Sequence, residues 1–339
     1  MTETDRAAGQ PERGDPLHRE VTFVESLDLP VLGVPTRFLS SHQELARAVR
    51  DTFGAWKGLG SRPELLAPAH VRVRLMRHEA GGDGPGAQVR YRMPEPDRLV
   101  VTTPGSVGIA DMGLGEVTAY VTAELIADET HFRHAFLSAL TLSAVTVHDR
   151  IPIHAAAVAR GDHALLLHGP SGVGKSSLVL AAAQLGLGVL SEDVVYAQLR
   201  DGPRIWGMPG AVHVTRDALR FFPQITPLRQ VVRTGGAKKL AVAPDPRVGD
   251  PLLFAHRVGI CLLERSEGPP ALTPGSVDDV RLLLSGARES GFDRYAAAAG
   301  RAAGFVGAAG VWLLRIGSDP HAAASLLAHL LSRLSDEGG

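Results

Sequence analysis

The sequence predicts an α/β protein in two parts, a small α+β domain followed by a larger α/β domain. Three observations support this. The chain has 339 residues and is 45% apolar, enough for two cores of ordinary size. Short alternating apolar runs dominate residues 71–126, the pattern of half-buried strands. Over residues 165–185 an apolar strand then enters a glycine-rich turn that leads straight into a helix former, which is the order of a strand–loop–helix unit.

Residues 1–20 are charged and polar, with Pro11, Pro16 and no apolar core, and are expected to be a disordered tail and not an export signal. The first domain is assigned to residues 21–148. Val21 to Leu32 reads as a strand and turn, and Ser40 as the N-cap of a helix running to Phe53. Gly58 to Pro68 is a Gly/Pro-rich link. Strands are expected over Val71–Met76, Gln88–Met93, Arg98–Thr103 and Glu116–Ile126, with a loop at Gly81–Gly86. His131 and His134 share a helix face, and without further ligands they read as a solvated face. Thr130 to Val147 is expected to be a helix joining the two halves.

The second domain is assigned to residues 149–339. Its first strand is Ile151 to Val158. A turn at Arg160–His163 returns the chain to Ala164–Leu167, and Leu178 to Leu185 is a helix. Val189 to Val195 is a third apolar strand that carries Glu192 and Asp193. Arg216–Phe222 is expected to be a short helix. Arg229 to Lys239 is expected to be a basic, flexible stretch. Val258–Glu264 and Val311–Ile316 read as strands. Ser276 starts a helix, Ala296–Ala303 is helical, and His321–Leu334 is an amphipathic closing helix.

Composition excludes several classes. A net charge of −1 offers no basic field, so no nucleic-acid partner is expected. No run of eighteen apolar residues is free of charge, so no membrane span is expected. The single cysteine, Cys261, lies in an apolar run and reads as a buried thiol. A cytoplasmic protein fits these features, and a homo-oligomer is compatible with them.

The chemistry concentrates in Gly169, Pro170, Ser171, Gly172, Val173, Gly174, Lys175, Ser176 and Ser177, which fit G-x-x-x-x-G-K-[ST] between strand and helix. Gly172 and Gly174 let backbone N–H groups approach phosphate oxygens. Lys175 offers a flexible point charge for the outer phosphates and Ser176 a hydroxyl for Mg²⁺, while the helix N-terminus adds its dipole. The motif therefore predicts a nucleoside-triphosphate phosphate loop. Only four of the 35 basic residues are lysine. One is Lys175 and two more are Lys238 and Lys239, which are therefore candidates for contact with substrate or a transferring phosphate. An acid beyond a strand near such a loop can hold Mg²⁺ or accept a proton from an attacking hydroxyl, which makes Glu192 and Asp193 candidates. A guanine-reading Asn-Lys-x-Asp sequence is missing, which speaks against a GTPase.

The order Ile153-His154, hairpin, Gly169–Ser177, then Leu190-Ser191-Glu192-Asp193 resembles the catalytic domain of the HPr kinase/phosphorylase family. It is more similar to the family's shorter-motif relatives, the HPr-kinase-like serine kinases. The resemblance implies the phosphate-loop fold with a mixed sheet shared with phosphoenolpyruvate carboxykinases. It also implies ATP and Mg²⁺ as cofactors. His154 would assist proton handling, Glu192 would be the base, and Asp193 would help Ser176 hold Mg²⁺. The family's pair is two aspartates, whereas the first acid here is glutamate, one methylene longer, so the roles of base and metal holder are exchangeable between Glu192 and Asp193. The Glu-x-Arg-Gly signature of true HPr kinases is missing after Lys239, so HPr and reverse phosphorolysis are not expected. What the resemblance implies is a kinase for a serine-type hydroxyl on a protein or peptide. A ribosomally made precursor peptide is one such target, with the N-terminal domain as its recognition surface. A regulatory or assembly ATPase and a small-molecule kinase are the alternatives.

Overall fold

The computed structural model describes residues 21–79, 81–84, 87–232, 238–243, 252–286 and 293–337. The expected tail at residues 1–20 lies outside these, as do Arg233, Gly235 and Gly236 of the basic stretch. The chain divides into two compact units, one reaching Val145 and the other starting at Thr146.

The first unit holds β1 (Glu25–Val31), β2 (Val34–Ser40), α1 (Gln43–Phe53), β3 (Val71–His78), β4 (Arg90–Glu95), β5 (Arg98–Thr102), β6 (Val107–Asp111), β7 (Glu116–Thr122), α2 (Ala123–Ala127) and α3 (Ser138–Thr146). Its strands form one seven-stranded sheet, ordered β1-β2-β3-β7-β6-β5-β4. Beyond shifts of about two residues at β3 and β4, two boundaries differ from the sequence reading for a visible reason. Ser40 ends β2 because it pairs with Leu75 of β3, and α1 is capped instead by His42, whose Nδ1 accepts from Glu44 N. The strand expected to run to Ile126 stops at Thr122, whose hydroxyl caps α2 by accepting from Leu125 N at 3.2 Å. The helix expected over Thr130–Val147 opens as a π-helical segment, His131–Leu137, before α3. This layer lies directly on the sheet. A Cβ on Gly108 of β6 would fall 2.3 Å from Leu140 Cδ1, so a larger residue there would force the Leu140 side chain to move.

The second unit contains β8 (Ile151–Ile153), β9 (Ala156–Arg160), β10 (His163–His168), α4 (Lys175–Gln184), β11 (Gly188–Ser191), β12 (Val195–Gln198), β13 (Arg204–Trp206) and β14 (Val212–Val214). There follow β15 (Arg229–Val232), β16 (Lys238–Val242), β17 (Phe254–Ala255), β18 (Arg257–Glu264), β19 (Ala271–Pro274), α5 (Val277–Ser285), α6 (Ala296–Val306), β20 (Val311–Arg315) and α7 (Pro320–Glu337). A six-stranded mixed sheet is ordered β11-β9-β10-β18-β20-β19, with β10, β18 and β20 parallel to their neighbours in that run. A four-stranded sheet, β17-β13-β12-β8, and a three-stranded sheet, β14-β16-β15, complete the unit.

The six-stranded sheet is buried on both faces, which is why its strands read as nearly continuous apolar runs. Leu165 and Leu167 pack with α4, α7, Val212 and Val214. Ala164 and Leu166 on the other face pack with α5, α6 and Val195. Truncating a side chain such as Leu178, fully buried in the first of these cores, costs about 2–5 kcal/mol. In the four-stranded sheet, the guanidinium groups of Arg150 and Arg204 lie over the Trp206 ring at 5.3 and 5.5 Å, and Trp206 donates through Nε1 to Gln198 at 2.8 Å. Cation–π contact and a satisfied indole N–H together fix β13 on β12.

Two runs read as single strands are each split between sheets, and this matters most for function. Ile151–Val158 breaks at His154-Ala155, with β8 in the four-stranded sheet and β9 in the six-stranded one. Val189–Val195 breaks at Glu192-Asp193-Val194, with β11 in the six-stranded sheet and β12 in the four-stranded one. The two breaks face each other, because Ile153 pairs with Val195 on one side and Ala157 with Ser191 on the other. Polar residues interrupt both runs at the breaks, His154 in one and Glu192-Asp193 in the other, but periodicity does not show that the strand changes sheet there. The segment expected to be a flexible basic stretch is also partly strand, since its described parts are β15 and β16.

Candidate functional site

The glycine-rich loop joins the end of β10 to the start of α4. Gly172 and Gly174 have φ of +81° and +118°, a region that disfavours a Cβ and is the reason glycine stands there. Gly169 is glycine for a different reason, since a Cβ would sit 3.0 Å from Leu263 Cβ and 3.1 Å from Leu263 O. Val173 N donates to Pro170 O at 3.3 Å and tightens the turn. Gly174 is the N-cap of α4, so Lys175, Ser176 and Ser177 form its first turn. The orphan N–H groups of that turn and the helix dipole favour an anion. α4 ends at a left-handed Gly186, and Leu187 N returns to Ala182 O, as in a Schellman cap.

Lys175 is only 8% exposed. Its Nζ donates to Gly169 O at 2.6 Å and Pro170 O at 3.3 Å, which holds the ammonium against the start of the loop. Ser176 Oγ donates to Glu192 Oε1 at 2.6 Å. The second carboxylate oxygen, Oε2, accepts from His213 Nδ1 at 3.1 Å. On the far side of the same dipeptide, Asp193 Oδ1 lies 3.7 Å from His154 Nε2. The turn that presents both acids is braced by Ser191 Oγ, which donates to Val194 O at 2.6 Å. His168 Nδ1 donates to His154 O at 3.0 Å, tying the break after β8 to the end of β10.

His154, Lys175, Ser176, Glu192 and Asp193 are therefore brought together by the two facing breaks and the loop. The acids divide between two partners, a distinction the sequence left open. Glu192, read as the base, is bonded to the hydroxyl of Ser176. Asp193, read as the Mg²⁺ ligand, faces His154. The extra methylene of glutamate lets Glu192 reach Ser176, while Asp193 lies toward β8.

Lys238 and Lys239 open β16. Among the described residues no hydrogen bond or ion pair joins either lysine to the loop or to the acids. Lys239 does share a sheet face with His213, because Ala241, two residues on, is the register partner of His213. Elsewhere, His131 Nδ1 bonds Asp128 Oδ2 at 2.8 Å. Among the described residues no three His, Cys, Asp or Glu side chains form a metal-binding group, and no helix is long and apolar enough to cross a membrane.

A cation is implied by the resemblance, and the donor set beside the loop fits Mg²⁺. Two hard oxygens, Ser176 Oγ and Glu192 Oε1, converge at the first turn of α4. Mg²⁺ usually takes one or two protein oxygens and completes its shell with phosphates and water.

Sequence reasoning missed His213. It lies twenty-one residues from Glu192 and belongs to no local motif, so the one available signal was a histidine between two valines in a short strand. It also missed His168 as a brace for His154.

No protein-family model matches the chain, and no curated protein matches it in sequence. Among solved structures, the HPr(Ser) kinase/phosphatase from Coxiella burnetii is similar at 15% identity over 55% of this chain and 98% of that chain, with a TM-score of 0.30. That likeness is distant, and function is inferred from the site's own geometry.

Proposed function

We propose that the second unit is an ATP- and Mg²⁺-dependent phosphotransferase that acts on a serine-type hydroxyl of a protein or peptide. The observation that carries this reading is the division of labour within one dipeptide. Glu192 is bonded to the Ser176 hydroxyl beside the loop, and Asp193 is turned toward His154. In this reading one acid serves the phosphate side and the other the side of an incoming hydroxyl.

In this reading the loop from Gly169 to Ser177 and the N-terminus of α4 cradle the phosphates, and Lys175 clamps the β- and γ-phosphates. Ser176 and Glu192 hold Mg²⁺, which when bound neutralises charge on the phosphate oxygens. Asp193, oriented by His154, accepts the proton of the acceptor hydroxyl. The acceptor oxygen bonds to the γ-phosphorus as the bridging bond to the β-phosphate breaks, and ADP leaves. Lys238 and Lys239 remain candidates for the acceptor side. The first unit is the proposed surface for recognising the target.

Incubation with γ-phosphate-labelled ATP, Mg²⁺ and serine-containing peptides tests the reading, including a peptide encoded beside this gene. Label on serine that is lost with Asp193→Asn is the expected result. Phosphate release with no labelled hydroxyl would replace it with an ATPase reading, and a labelled metabolite with a small-molecule kinase.

A further inference from the structure

We infer that His213 is a positioning residue for Glu192, fixing the carboxylate that serves the cation of the metal–nucleotide complex. This inference rests on the phosphotransferase reading above.

Glutamate has three side-chain torsions, so a carboxylate at this position needs more than one anchor to hold a single direction. Its Oε1 is engaged by Ser176 and its Oε2 by His213 Nδ1, at 2.6 and 3.1 Å. The side chains of Glu192 and His213 are 9% and 16% exposed, so bulk water competes weakly for either group. An ionised carboxylate only accepts, so the imidazole donates from Nδ1. When the Ser176 hydroxyl turns its lone pairs to a cation, the bond from His213 keeps Oε2 fixed and leaves Oε1 directed at the same cation.

The sequence around His213 fits the role. In Val212-His213-Val214 the two valines are 0% and 1% exposed and pack in the core beside α4. Strand alternation then sends His213 to the opposite face. Pairing of Val212, His213 and Val214 with Val242, Ala241 and Leu240 of β16 fixes the register, and a slip of one residue would turn the imidazole into the core. Groups that orient a metal ligand from behind typically change metal affinity by about 10- to 100-fold when removed.

The test is binding of a non-hydrolysable ATP analogue to the full chain, measured with Mg²⁺ and again with a chelator. With Mg²⁺, His213→Ala should weaken binding by about 10- to 100-fold, while binding under the chelator stays at the wild-type level. His213→Asn, whose amide donor sits near the Nδ1 position, should restore most of the loss, whereas His213→Gln should not. The Asn and Gln pair decides the matter even if the alanine variant fails to fold. Equal losses with and without Mg²⁺, or Asn and Gln variants that bind Mg²⁺–nucleotide alike, would overturn the inference. Wild-type protein that binds no nucleotide would overturn the phosphotransferase reading itself.

Discussion

Ser176 and Glu192, sixteen residues apart in the chain, are joined by a 2.6 Å hydrogen bond from hydroxyl to carboxylate. One residue belongs to the first turn of α4 and the other to the break between β11 and β12. That bond ties the glycine-rich loop to the place where the chain changes sheets, and it distinguishes two acids that are adjacent in sequence.

Lys175→Ala removes the ammonium held by Gly169 O and Pro170 O. Loss of its charge-assisted contact with the phosphates, roughly 1.5–3 kcal/mol, should weaken ATP binding by about 10- to 100-fold. Titration calorimetry on wild type and variant measures it, and unchanged affinity would remove the loop from the account.

The glycine-rich turn between β10 and α4 was legible in the sequence because Gly172 and Gly174 mark positive-φ positions at fixed local spacing. His154, Glu192 and Asp193 were legible as types, but their grouping was not. It depends on two strands leaving one sheet for another at facing positions, and a polar residue within an apolar run, such as His154, does not by itself reveal that exit. Which of the two carboxylates reaches Ser176 is a three-dimensional matter that spacing does not show. Asp83 shows the same limit in the first unit. Within what reads as a plain glycine loop, its carboxylate accepts from Gly105 N at 2.9 Å, Thr122 Oγ1 at 2.8 Å and Ser106 Oγ.

Asp83 should therefore make the first unit acid-sensitive. Burial alone would raise its pKa, but bonds from Ser106, Thr103, Gly105 and Thr122 outweigh that and hold it below the usual 3.8. A lowered folded-state value means the stabilisation is fully present above the unfolded carboxylate's pKa and is lost as pH falls through the folded value. Asp83→Asn should cost about 1–3 kcal/mol at neutral pH and flatten the acid limb of the unfolding curve. Chemical denaturation at several pH values measures both effects, and an unchanged acid limb would contradict this role.

Cys261, in the centre of β18, is fully buried, and burial pushes its thiol up to about 12. The thiolate is the reactive form. A thiol-specific disulfide reagent at pH 8 should therefore modify the native chain very slowly and the denatured chain at the rate of a free cysteine. Equal rates would show that β18 is accessible.

The most direct test of the central claim compares Glu192→Gln with Asp193→Asn in two assays, Mg²⁺-dependent nucleotide binding and phosphoryl transfer. Glu192→Gln should weaken binding in Mg²⁺. Asp193→Asn should bind nucleotide nearly as the wild type does yet transfer about 10²- to 10⁴-fold more slowly, the usual effect of losing a general base. The reverse pattern, with binding lost in Asp193→Asn and kept in Glu192→Gln, would contradict the division of labour between Ser176–Glu192 and His154–Asp193.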